Sequence, residues 1–147
     1  MDRKKTLVMS LVGLFVMLVS LVSVAGCGTL AEVSAELGQQ VEIRLGQTVS
    51  VQGESIDVKF FEIIGDSRCP TGATCVWQGE ISGVLEITYL DETYQMTITQ
   101  PGLSGEMVTE AFAEYAIGYN FLPYPEVGQE IKYGDYRLEI VINKAVT

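Results

Sequence analysis

The sequence predicts an all-β fold: a single antiparallel β-sandwich, or a partly open barrel, of about 7–9 short strands behind an N-terminal signal helix. Three observations predict it. Beyond residue 40, apolar and polar residues alternate with a period of two. Clusters of Gly, Pro, Asp and Gln punctuate these runs at short intervals. The longest apolar run is confined to the N-terminus.

That run follows a basic start. Met1-Asp2-Arg3-Lys4-Lys5 carries three positive charges, and no charge follows from Thr6 to Ala31. Leu7 to Val24 is almost entirely Leu, Val, Met, Phe and Ser. A charged start, an apolar stretch and small residues before a cut site are the parts of a secretory signal. The apolar stretch also approaches the length of a spanning helix, so an uncleaved anchor is the competing reading. In either case the basic end stays cytoplasmic and the remainder faces outward.

Val24-Ala25-Gly26-Cys27 resembles the lipobox of bacterial lipoproteins. The resemblance implies cleavage before Cys27 and a diacylglycerol on its thiol, with acyl chains of the palmitate class. Ala25 and Gly26 are small enough for a peptidase cleft. More than one acyl chain makes such an anchor stable, where a single chain is marginal. The expected organisation is a signal peptide over 1–26, a tether over 27–39 and the β-sandwich over 40–147. The expected location is extracytoplasmic, at the bacterial cell membrane.

Cleavage leaves 121 of the 147 residues, enough for one core. It removes three basic residues and one acidic residue, leaving 6 basic against 18 acidic and a net charge of −12. Nucleic acid and anionic membrane surfaces are poor partners for that charge, whereas cationic ligands, basic proteins and divalent ions suit it. The three cysteines are odd in number. If lipidation consumes Cys27, then Cys69 and Cys75 remain as a pair in an oxidising compartment, and a disulfide is expected.

The elements follow in order. Gly28 to Gln40 reads as the tether, with a helical turn around Ala31 to Leu37. Val41, Ile43 and Leu45 alternate with Glu42 and Arg44. Val49 and Val51 form a second run, and Ile56, Val58 and Phe60 a third. Leu85, Ile87 and Tyr89 lead through a turn at Asp91-Glu92 to Tyr94, Met96 and Ile98, a hairpin. Pro101 to Gly105 is a loop. Met107 to Ala116 is ambiguous, because Glu106, Glu110 and Glu114 lie four apart, as on one helical face. A strand over Gly118 to Leu122 ends at Pro123-Tyr124-Pro125, Ile131 to Tyr133 is short, and Tyr136, Leu138, Ile140 and Ile142 form the last strand.

The most distinctive stretch of the domain is Asp66 to Gly79. Its Arg68-Cys69-Pro70, four residues, Cys75-Val76-Trp77-Gln78-Gly79 resembles a string found in bacterial secreted and lipid-anchored proteins of uncharacterised activity. No activity comes with that resemblance. Two readings compete: a stapled structural corner, or a rigid recognition loop in which Asp66 and Arg68 are the polar contacts and Trp77 the aromatic anchor. A protease-inhibitor loop is a variant of the second, since a closed loop is preorganised.

No His is present, which removes Ser-His-Asp and Cys-His catalysis and any His-based zinc site. EF-hand spacing is absent, and no metal or cofactor is expected. The late tyrosines read mainly as packing, with Tyr119, Tyr124 and Trp77 the candidates for any surface platform. The functional expectation is a non-enzymatic, lipid-anchored binding or scaffolding module for an envelope protein or extracellular ligand. The alternative is a hydrolase of envelope or extracellular polymer that uses two carboxylates.

Overall fold

The computed structural model describes residues 31–102 and 105–145. The expected signal helix and residues 27–30 of the tether, Cys27 included, lie outside them. Among the described residues, nine strands form two sheets that enclose one core. They are β1 (Val33–Ala35), β2 (Val41–Arg44), β3 (Thr48–Val51), β4 (Ile56–Asp66), β5 (Glu80–Tyr89), β6 (Glu92–Pro101), β7 (Val108–Phe112), β8 (Tyr115–Leu122) and β9 (Arg137–Lys144). The first sheet has the order β1-β3-β4-β5-β6 and the second β2-β9-β8-β7. Neighbours are antiparallel except β1 and β3, which run parallel.

Alternation decides which side chains face inward. Ile56, Val58 and Phe60 of β4, and Leu85 and Ile87 of β5, meet Ile117, Tyr119 and Phe121 of β8 and Leu138, Ile140 and Ile142 of β9 in one buried cluster. Phe60 and Phe121 pack edge to face across the two sheets, 5.8 Å between ring centroids. The β5–β6 hairpin turns at Leu90-Asp91, both with positive φ, and Tyr89 pairs with Glu92. The turn therefore closes one residue earlier than Asp91-Glu92.

Three expected elements differ. The helical turn around Ala31 to Leu37 is instead β1. Pairing Ala35 with Val51 buries its methyl in the core, which a short isolated helix could not match. Residues 33–35, read as tether, thus belong to the sandwich. Met107 to Ala116 holds β7, a turn at Ala113-Glu114 and the start of β8. Its three glutamates have no basic residue four positions on to support a helix, while the open edge of β8 offers five paired residues. Ile131 to Tyr133 is not a strand, and Tyr133–Asp135 forms a single 3-10 turn.

The two sheets are also joined by polar contacts near one end. Gln100 on β6 is buried. Its Nε2 donates to Asn120 Oδ1 (2.7 Å) and the Glu106 carbonyl (3.0 Å), and its Oε1 accepts from the Phe121 amide (2.8 Å). Tyr119 Oη donates to the Thr99 carbonyl at 3.0 Å. Both contacts hold the edge strand β6 against β8. At that same end lie the β4–β5 and β8–β9 connections, which carry the candidate site.

Candidate functional site: a stapled loop and an acidic cleft

Cys69 and Cys75 form a disulfide, with Cα atoms 6.0 Å apart. Its loop sits between β4 and β5. The neck is closed by backbone bonds from Ser67 N to Glu80 O (2.8 Å) and from Cys69 N to Gln78 O (2.9 Å). Gly79 makes this closeness possible. Its φ is +71°, and a Cβ there would lie 1.8 Å from the Ser67 carbonyl oxygen.

Asp66 and Arg68 do not face solvent. Arg68 is 5% exposed and grips Asp66 through both carboxylate oxygens, Nε to Oδ1 at 2.9 Å and Nη2 to Oδ2 at 2.7 Å. Its remaining donors reach across to the other sheet, to the carbonyls of Phe121 (3.2 Å) and Pro123 (2.9 Å). Its guanidinium lies 5.1 Å from the centroid of the Tyr124 ring. Tyr136 Oη also donates to Asp66 Oδ2, at 3.1 Å. The polar contacts expected of these two residues in recognition are therefore made inside the protein, because each guanidinium nitrogen of Arg68 has an internal acceptor.

The electrostatics agree with that geometry. Burial works against the Asp66 charge, but the side-chain and backbone hydrogen bonds from Arg68 outweigh it and hold the carboxyl below the usual carboxylate range. Burial first, and then the Asp66 charge, push the Tyr136 phenol up to about 12. The cluster is a fixed ion pair with a neutral phenol attached.

Trp77 behaves differently. It is 62% exposed, and Val76 beside it is fully exposed. The stapled corner does not fold its Trp underneath. Of the platform candidates, Tyr119 is buried in the core and Tyr124 is half-buried.

The connection from Pro123 to Tyr136 docks on the stapled loop. Thr71 N donates to Pro125 O (2.8 Å), and Val127 N donates to Thr71 O (3.2 Å). Thus pinned by Thr71 and Arg68, this connection walls a cleft of about 590 Å³ against the outward side of β2 and β9. Leu122, Pro123, Tyr124 and Ile131 give it an apolar and aromatic wall. Glu126, Glu130, Asp135 and Glu42 supply carboxylates, and Arg137 supplies the one cation of the lining. Arg137 is engaged, because its Nη1 donates to Glu42 Oε1 at 3.1 Å. Three carboxylates are left in excess. The size lies within the range of small-molecule sites.

No family model matches the chain, and no curated protein or solved structure matches it significantly. The site is therefore interpreted from its own chemistry. Among the described residues, no three His, Cys, Asp or Glu side chains are placed to hold a metal ion.

A second polar cluster lies at the opposite end of the sandwich. Lys144 Nζ contacts Glu54 (2.8 Å), Glu114 (2.9 Å) and the Tyr115 hydroxyl (3.2 Å). The Lys144 hydrogen bond, followed by that of Tyr115, holds the Glu54 carboxyl below its ordinary value. This cluster ties β9 to the β3–β4 and β7–β8 turns, which is a structural task.

Of the cleft lining, the sequence pointed only to Tyr124, as a platform candidate, and to none of the carboxylates as a site. The cleft's one local signal is the run Pro123-Tyr124-Pro125-Glu126, an aromatic and an acid held between prolines.

Proposed function

We propose that the protein is a lipid-anchored, extracytoplasmic binding module that holds a small cationic ligand in the cleft beside Tyr124. The observation that carries this reading is the lining itself. Three carboxylates beyond the Glu42–Arg137 pair surround a concave space with an aromatic wall, in a domain of strongly negative charge. An ammonium or guanidinium group gains there from carboxylate contact, while its methylenes pack on the apolar and aromatic wall. The Arg68 contacts support binding over flexibility, because they hold the Pro123–Tyr124 wall in place before any ligand arrives.

The anchor is assigned to Cys27 from the lipobox resemblance. Metabolic labelling with a fatty-acid analogue tests it: wild type takes up label and Cys27→Ala does not. Label that persists in the variant refutes the assignment. For the cleft, calorimetric titration with spermidine, and with a lysine-bearing peptide, is expected to show saturable binding that weakens about tenfold in Glu130→Gln. One lost charge-assisted contact accounts for that factor. Equal, weak and unsaturable heats for both proteins refute the reading.

A further inference from the structure

We infer that the stapled loop rests on the bilayer, with Val76 and Trp77 seated in its interfacial zone. This rests on the Cys27 anchor proposed above and adds the orientation that the anchor imposes.

The direction of the chain supports it. β1 runs parallel to β3, and β3 antiparallel to β4. Going back from Val33 toward the N-terminus therefore follows the direction in which β4 advances from Phe60 to Asp66. Gln47 fixes the level at which the chain leaves. Its Nε2 donates to the Ala31 carbonyl at 2.6 Å, and its own carbonyl accepts from the Phe60 amide at 3.1 Å.

Lengths then limit the geometry. Ala31 is four residue steps from Cys27, which span at most about 14 Å. With two bulges in β4, Phe60 and Asp66 pair with Leu85 and Ile81 of β5, an advance of about 13 Å at strand rise, and the loop continues beyond that level through the Ser67–Glu80 and Cys69–Gln78 backbone bonds. A lipidated Cys27 keeps Ala31 within about 14 Å of the membrane surface. The stapled loop extends further than that in the direction from which the chain comes. A domain standing on that end brings the loop to the bilayer.

The loop has the surface for it. Cys69 to Gly79 carries no charged residue, in a chain of 19 acidic residues. An uncharged, aromatic-tipped projection suits the interfacial zone, where an indole keeps an apolar face in the acyl region and its N–H among the headgroups. Ile64, on β4 between the point where the chain leaves and the loop, is a further apolar side chain that is 59% exposed. Elsewhere the acidic surface disfavours an anionic bilayer, so a zwitterionic surface is the appropriate probe.

Trp77 is the only tryptophan in the chain, so its emission reports on the loop alone. The full chain is purified from bacterial membranes and reconstituted in phosphatidylcholine vesicles, with and without bromine on the acyl chains. The expected result is blue-shifted emission, several-fold loss by bromine quenching, and protection from aqueous acrylamide. A second protein, Trp77→Phe with Tyr94→Trp, moves the probe to the far half of the sandwich and is expected to show no bromine quenching. Trp77 emission quenched by acrylamide and not by bromine overturns the docking and leaves the side chain to a protein partner. Equal bromine quenching of both probes overturns it as well. Fatty-acid labelling of the same preparation separates the two ideas. Label without bromine quenching sinks the docking alone, and quenching without label sinks the lipid anchor while upholding the docking.

Discussion

Replacing Arg68 by Met tests the internal role given to this residue. The substitution keeps an unbranched side chain of similar reach and removes four hydrogen bonds, two to Asp66 and one each to the Phe121 and Pro123 carbonyls. Asp66 would keep only Tyr136 Oη and the residue-68 amide. Removing one partner of a buried pair costs about 3–5 kcal/mol, whereas a surface pair contributes about 0–1. The Asp66 side chain is 11% exposed, which places the expected loss near the lower end, about 3 kcal/mol.

The pH dependence separates this cause from lost packing. In the wild type the folded Asp66 carboxyl lies below its unfolded value. Its contribution is present above about pH 4 and is lost as pH falls through the folded value. Without the Arg68 guanidinium, burial is opposed only by Tyr136 Oη and the residue-68 amide, so the folded value rises relative to wild type and the stability gained on ionisation shrinks. The deficit should be largest at pH 7 and shrink near pH 3. Urea unfolding of both proteins at the two pH values measures it. A deficit below about 1 kcal/mol, or one equal at both pH values, refutes the internal ion pair.

Two further outcomes follow from the stapled loop. Replacing Cys69 and Cys75 together by Ala should lower stability by about 2 kcal/mol, the loop-closure entropy of a seven-residue ring, read as a lower urea midpoint at an unchanged slope. Gly79→Ala should cost more than an exposed loop site normally does, about 2–3 kcal/mol, because its Cβ meets the Ser67 carbonyl at a positive φ; an unchanged melting temperature would contradict that packing.

Much of the sandwich was legible because its strands are half-buried. Ile56-Val58-Phe60 lies on β4 and Leu138-Ile140-Ile142 on β9, while Tyr136, read with the last strand, sits one residue before it. β1 was not legible, since three residues ending in a small Ala carry too little periodicity. β7 was obscured by glutamates whose spacing mimics a helix, although the partner strand β8 decides the outcome. The motif around Cys69 and Cys75 located the stapled loop, but the recognition reading of it placed Arg68 outward. Its acceptors lie 53 and 55 residues away, and Tyr136, which shares Asp66, lies 70 residues from it. No local pattern carries contacts of that separation. The cleft was hidden for the same reason, because Glu42 and Glu130 meet only after β2 pairs with β9.

The central claim is that the acidic cleft beside Tyr124 takes a cationic ligand. Titration of isotope-labelled protein with spermidine, followed by amide chemical shifts, tests it most directly. The expected result is saturable shifts confined to Tyr124, Glu126, Gln129, Glu130 and their neighbours. Shifts spread evenly over the acidic surface, or none at the cleft, would contradict it.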